Sequence, residues 1–263
     1  MEEEVLELPP GIEPGIESYK YSNGKWQKLT LPVPREIPFT VYINNLELVT
    51  ILCTPSKLNC LVIGYLYAEG IISDIKDILS MRVCEDDALA DIRLNRTDFK
   101  LPERRVLTSG CGGGISFDAS LLSAKVQSSI YVSPEQILSL MRQMMQNAGL
   151  YNISGGIHTS ALADGDNLLV IGEDIGRHNT LDKILGECLL RKITTRDKIL
   201  LTSGRVSSEM LRKTARMQIP IIASLTSATD RAVMLAKELG ITLIGYAKGS
   251  HLTVYSNPER LKS

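Results

Sequence analysis

The sequence predicts an α/β protein in which a smaller α+β part precedes a larger α/β part. After Gln127, the short apolar runs LLVI (168–171), ILLT (199–202), IIAS (221–224) and ITLIGY (241–246) alternate with amphipathic helical stretches. Such alternation implies parallel strands joined by crossover helices. Before Gln127, strand-period alternation dominates and long helices are sparse. With 44% hydrophobic residues over 263, the chain can bury a substantial core.

Residues 1–30 are rich in Gly, Pro and charge without sustained periodicity and read as a partly ordered N-terminal arm. Residues 31–120 form the α+β subdomain. In it, EIPFTVYINNLELVTILCT reads as two strands about an Asn44-Asn45 turn, followed by a helix through Leu58, Leu61, Val62 and Leu66. MRVCEDD, ADIRLNR and RRVLTSG read as short strands. GCGGGISF then breaks regular structure, with four glycines in the five residues 110–114, and reads as a mobile loop.

Residues 121–263 form the α/β subdomain. QSSIYV reads as a strand, and Ser133-Pro134-Glu135 is a helix start with proline at the first helical position. Helices are expected at about 179–190, 207–217 and 229–239, the last ended by Gly240.

Composition excludes several classes. Lys plus Arg number 29 against 30 for Asp plus Glu, a net charge of −1, so no global positive field holds nucleic acid. The start, MEEEVLELPP, has neither the basic nor the apolar stretch of a signal peptide or spanning helix, which points to the cytoplasm and away from the membrane. Five irregularly spaced cysteines suit a reducing compartment. Cys53 and Cys60 flank apolar runs and Cys188 falls on an apolar helix face, so all three read as core fillers. Cys84 is open, and Cys111 stands apart in its run of glycines.

Four loops rich in Gly, hydroxyls and charge follow the apolar strands: GEDIGRHN (172–179), SGRVSSE (203–209), LTSATDR (225–231) and AKGSH (247–251). In an open α/β sheet such loops leave one carboxyl edge, where these folds hold ligands, and three of them enter helix N-termini suited to phosphate. Arg177, Arg205, Arg231, Lys248 and His251 are candidate cations there. Asp174, Asp230, Ser203, Ser207, Thr226 and Thr229 are candidate hydrogen-bonding groups for a base or sugar; His178 lies in the first of these loops, and His158 lies in SGGIHTSAL (154–162), which reads as the connection from the first long helix to the next strand. Each loop alone would read as an ordinary cap or turn. Four together, each with a basic residue, favour an anionic nucleotide-like ligand.

Five blocks, TPSKLNCLVIGYLYAEGII, TSGCGGG, SGGIHTSAL, EDIGRHNTLDKILG and LTSGRVSSEML, occur in the order found in the formate dehydrogenase accessory protein family, FdhD/NarQ, which the chain resembles over roughly residues 36–260. The resemblance implies a cytidine deaminase-like three-layer αβα C-terminal part and a homodimer. It also implies sulfurtransferase activity: sulfur taken from a cysteine desulfurase is passed to the molybdenum bis-molybdopterin guanine dinucleotide cofactor before that cofactor enters formate dehydrogenase. The persulfide-bearing cysteine maps to Cys111. The cofactor segment maps to Tyr246, Ala247, Lys248, Gly249, Ser250 and His251.

Two departures stand out. Gly114 replaces the family's second cysteine, and Ala228 the proline of its S-A-P-T stretch. Without a second cysteine, sulfur must move directly or with help from a separate thiol. A chaperone that binds and protects the cofactor without sulfur transfer is the alternative. A zinc deaminase is not supported, because His158-Thr159-Ser160 lacks the glutamate of H-x-E and no CxxC occurs; no metal site is expected.

Overall fold

The computed structural model describes residues 8–96, 106–107, 115–116 and 125–262. It opens with a hairpin, β1 (Ile12–Ser22) and β2 (Lys25–Pro34), turned at Asn23 and Gly24 with φ of 52° and 77°. Asn-Gly supplies the two left-handed residues that tight hairpin turns require. The aperiodic arm expected over 1–30 is therefore corrected: from Ile12 onward it is paired strand. Almost every β1 side chain meets solvent on both faces, so no buried alternation marks the strand in the sequence.

β3 (Ile37–Ile43) and β4 (Leu46–Cys53) turn at Asn44 and Asn45 as expected, with φ of 49° and 69°. Then come α1 (Leu58–Ala68), β5 (Ile78–Cys84) and β6 (Leu89–Leu94). The sheet runs β4-β3-β6-β5, and its Phe39, Val41, Ala90 and Ile92 pack with Leu58, Leu61, Val62 and Leu66 of α1. β7 (Val106–Leu107) and β8 (Ile115–Ser116) pair antiparallel, so Ile115 and Ser116 of GCGGGISF form a short strand. Cys111 and its neighbouring glycines lie outside the described residues.

QSSIYV is not a strand; Val132 alone bridges to Leu261. α2 (Pro134–Gln146) starts where the sequence places it, Ser133 Oγ accepting from the Gln136 N–H at 3.1 Å. The remaining elements are α3 (Gly149–Ser154), β9 (His158–Asp164), β10 (Asn167–Asp174), α4 (Arg177–Arg191), β11 (Ile199–Thr202), α5 (Ser208–Arg216), β12 (Ile221–Ser224), α6 (Asp230–Leu239), β13 (Thr242–Lys248) and β14 (His251–Ser256). The sheet order is β10-β9-β11-β12-β13-β14.

Two expectations change. SGGIHTSAL, read as a connection, contributes the interior strand β9, and the all-parallel sheet is mixed, because β9 runs antiparallel to both β10 and β11. Within this sheet, among the described residues, only β11, β12 and β13 are adjacent parallel strands.

The two faces of the sheet carry separate cores. Ala161, Ile199, Leu201, Ile221 and Ala223 pack with α2, whereas Leu162, Leu200, Ile222 and Leu243 pack with α4, α5 and α6. Helices thus cover both faces of a mixed α/β sheet. The halves meet where α1 crosses α4 at Gly64 and Gly186. A Cβ on Gly64 would strike the Asp182 carbonyl, and one on Gly186 the Cys60 carbonyl. Two opposed glycines allow the backbones to touch.

Candidate functional site

β10, β11, β12 and β13 all point the same way, so their carboxyl ends share one edge with the amino ends of β9 and β14. The four polar segments converge there as the sequence indicates. α4, α5 and α6 also begin at this edge, which supplies three N-terminal dipole ends. Two are capped: Ser207 Oγ accepts from Met210 N–H and Thr229 Oγ1 from Ala232 N–H, both at 3.3 Å. α4 starts after Gly176 with no side-chain cap.

A continuous hydrogen-bonded line crosses the edge. Ser203 Oγ accepts from Thr159 N–H at 3.0 Å and lies 3.4 Å from His158 Nδ1. A Cβ on the next residue, Gly204, would sit 2.9 Å from Arg177 Cβ and 3.3 Å from His158 Nδ1. Ser224 Oγ donates to Gly204 O at 2.8 Å and lies 3.2 Å from Thr226 Oγ1, and Thr226 O accepts from Tyr246 N–H at 2.9 Å. His158, Arg177, Ser203, Thr226 and Tyr246 are thus brought together, and Arg205 is exposed beside them.

The 247–251 segment is a hairpin tip, not a loop leaving a parallel strand. Lys248 pairs with His251 across β13 and β14, and Gly249 has a φ of 65°. Tyr246, Lys248, Gly249, Ser250 and His251 are exposed, but Ala247 is fully buried against α2 and supports the segment rather than lining it. Tyr246 has a φ of 52°, a conformation costly for an aromatic residue. Asp174, read as a ligand-facing acid, is instead buried against Lys183.

Burial sets the electrostatics. It pushes His158 below the ordinary histidine range, with Arg177 adding to the effect and Asp174 opposing it. His178 is pushed down to about 3 by burial, then by Lys213, Arg177 and His158. Its Nε2 lies 3.1 Å from Ser207 Oγ and 3.4 Å from Glu209 Oε2.

Sequence reasoning missed Glu209, Asp182 and Lys213, which pack beneath the edge. The available signal was position. Lys213 is three residues after Met210 and Asp182 follows Leu181, so both fall within stretches whose apolar members are buried.

Four thiols are described. Cys53, Cys60 and Cys188 are buried, and burial raises all three, Cys53 and Cys188 to about 12. Cys84 is half-buried and donates its S–H to Asp87 Oδ2 at 3.1 Å. Among the described residues, no helix is long and apolar enough to cross a membrane.

Fold and site define a mixed α/β protein with a polar, anion-suited sheet edge and structural thiols kept inside. The FdhD/NarQ family model matches residues 34–262, and the chain belongs to that family. It is 39% identical over 250 residues to the sulfur carrier protein FdhD of Bacillus subtilis, covering 93% of this chain and 95% of that one. The Listeria monocytogenes protein of the same name is 38% identical over 250 residues, covering 92% and 96%. The crystal structure of a formate dehydrogenase accessory protein from Desulfotalea psychrophila superposes with a TM-score of 0.80 at 26% identity, covering 96% of this chain and 100% of that one.

Proposed function

We propose that the chain is a cytoplasmic sulfur carrier, acting as a homodimer, that is needed for formate dehydrogenase activity. In this reading Cys111 thiolate attacks the outer sulfur of a cysteine desulfurase persulfide. A new S–S bond forms, the donor's S–S bond breaks, and the donor departs as a thiolate. The outer sulfur is then destined for molybdenum bis-molybdopterin guanine dinucleotide, held as the client before its insertion: the S–S bond on Cys111 would break, Cys111 would leave as a thiolate, and the two electrons that reduce the sulfur to sulfide would come from the client's metal or from a separate thiol. Family membership and the printed names of the relatives support the carrier role.

Cys111 is the position that the family resemblance gives to the persulfide-bearing cysteine, and the state of three of the four described thiols supports it. Sulfur exchange needs an accessible thiolate, and Cys53, Cys60 and Cys188 are buried with raised pKa values. The edge suits the client's diphosphate and guanine moieties. Arg177, Arg205, Arg231 and Lys248 supply positive charge, and the start of α4 supplies backbone N–H groups without a side-chain cap. His158, His178, Ser203, Thr229 and the Tyr246–His251 segment complete the candidate contacts. Incubation with a cysteine desulfurase and cysteine should add one sulfur mass to Cys111, removable by reductant and absent in Cys111→Ser. Persulfide on Cys84 instead, or unchanged loading of the variant, would refute the assignment.

A further inference from the structure

Beneath the edge, three helices contribute a polar cluster that the sulfur chemistry does not use. α1 and the residue that ends it bring Tyr65 and Glu69, α4 brings His178 and Asp182, and α5 brings Glu209 and Lys213. The ammonium of Lys213 makes both of its short bonds to Asp182, at 2.6 Å each, and stands 5.6 Å from the centre of the Tyr65 ring. Glu209 meets an imidazole instead: its Oε2 is 3.4 Å from His178 Nε2, the same nitrogen that lies 3.1 Å from Ser207 Oγ. Ser207 caps α5 and His178 adjoins Arg177, so this contact couples two loops of the client edge.

We propose that Glu209 is a proton-bearing positioning residue: its carboxyl holds His178, and through it Ser207, in place, and it takes up a proton when a diphosphate-bearing ligand settles beside Arg177. The second clause rests on the client-binding reading above.

The charges around Glu209 favour this role. Lys213 faces it from its own helix, Arg177, His178 and Asp182 from α4, and Glu69 from the end of α1, with His158 of β9 behind His178. Burial raises Glu209 to about 7; Lys213 and Arg177 pull it down, while Asp182 and Glu69 push it up. His178, buried and neutral near pH 7, adds no full positive charge. A ligand anion that offsets the charge of Arg177 weakens one of the two downward pulls, so Glu209 gains protons on binding. By linkage, binding tightens as pH falls through the Glu209 range.

The ligand-free test follows the His178 ring resonances by NMR. They should inflect near the titration of Glu209 and lose that inflection in Glu209→Gln, which keeps the size and hydrogen-bonding capacity of the neutral acid. Absence of the inflection in the wild type, or its persistence in the variant, overturns the proposal.

The ligand test is calorimetry with GDP in two buffers of different ionisation heat. Wild type should take up protons and bind several-fold more weakly as pH rises through the Glu209 titration. Glu209→Gln should take up fewer protons and show a shallower pH dependence, the remainder belonging to the terminal phosphate of GDP, which itself titrates at about pH 6. An unchanged pH slope in the variant also overturns the coupling. If neither protein binds GDP, the client-binding reading and the ligand clause fail together, while the NMR arm still decides the positioning role.

Discussion

Asp174 Oδ2 lies 2.7 Å from Lys183 Nζ, and solvent reaches neither side chain. The pair fastens the 172–179 segment to the α+β half. Lys183 also donates to Thr54 O and Ser56 Oγ, and Asp174 accepts from Thr54 N–H, Gly176 N–H and Asn179 Nδ2. Lys183→Met leaves a buried carboxylate without its cation and should destabilise the fold by about 3–5 kcal/mol. Asp174→Asn with Lys183→Met should cost less than Lys183→Met alone. Denaturant unfolding of the wild type, both single variants and the double variant measures the coupling.

The α1–α4 crossing makes a sharper prediction. At Gly186 an added Cβ meets the Cys60 carbonyl, and at Gly64 the Asp182 carbonyl; both obstacles are backbone and cannot rotate away. Either glycine changed to alanine should cost at least the ~1–3 kcal/mol typical of overpacking. Gly165→Ala is the control: an added Cβ there meets nothing within 4 Å, but φ is 58°, so only modest backbone strain results. Thermal midpoints should fall far more at positions 64 and 186 than at 165.

His178 and Glu209 give opposite dependences on pH. With His178 held at about 3, below its usual 6.5, the unfolded chain protonates first, so this contribution is lost as pH falls from 6.5 towards 3. With Glu209 raised from 4.5 to about 7, the folded chain protonates first, so stability gains as pH falls through that window. Glu209→Gln should therefore lose stability more steeply on acidification than wild type, and His178→Gln less steeply. Unfolding midpoints across this range check both signs.

Much of this architecture was legible in the sequence where packing imposed a period. β11 and β12 fall on the ILLT and IIAS runs, and α5 and α6 start at their hydroxyl caps. β9 was not legible because it is buried on both faces yet built of small and hydroxylated residues. Thr159, Ser160, Ala161 and Ala163 are all fully buried. Ser160 is satisfied by Thr180 at 2.7 Å and Thr202 at 3.0 Å, partners distant in sequence. The edge was legible because its loops are locally distinctive. The Glu209 cluster was not, because its charges look like an ordinary solvated helix face until α1 closes over them.

Gly204 offers the most direct test of the edge as a binding surface. The residue is buried between Arg177 and His158, and an alanine methyl there would sit 2.9 Å from Arg177 Cβ and 3.3 Å from His158 Nδ1. Arg177 Cβ is anchored to the first turn of α4 and cannot swing aside as a side-chain end would, so the 203–209 loop or the start of α4 must shift. The core under the loop, Val206 and Met210, is apolar and separately packed, so the fold should survive with a modest fall in thermal midpoint. Ligand binding depends on the relative placement of Arg177, His158 and the α4 N-terminus and should suffer more. GDP affinity should drop about tenfold, equivalent to ~1.4 kcal/mol. Gly165→Ala, at the β9–β10 turn where an added Cβ meets nothing within 4 Å, carries backbone strain at φ 58° without that crowding, so it separates the two effects. Equal loss in both variants would show that backbone strain, not displacement of Arg177 and His158, governs binding; unchanged affinity in Gly204→Ala would place the nucleotide elsewhere.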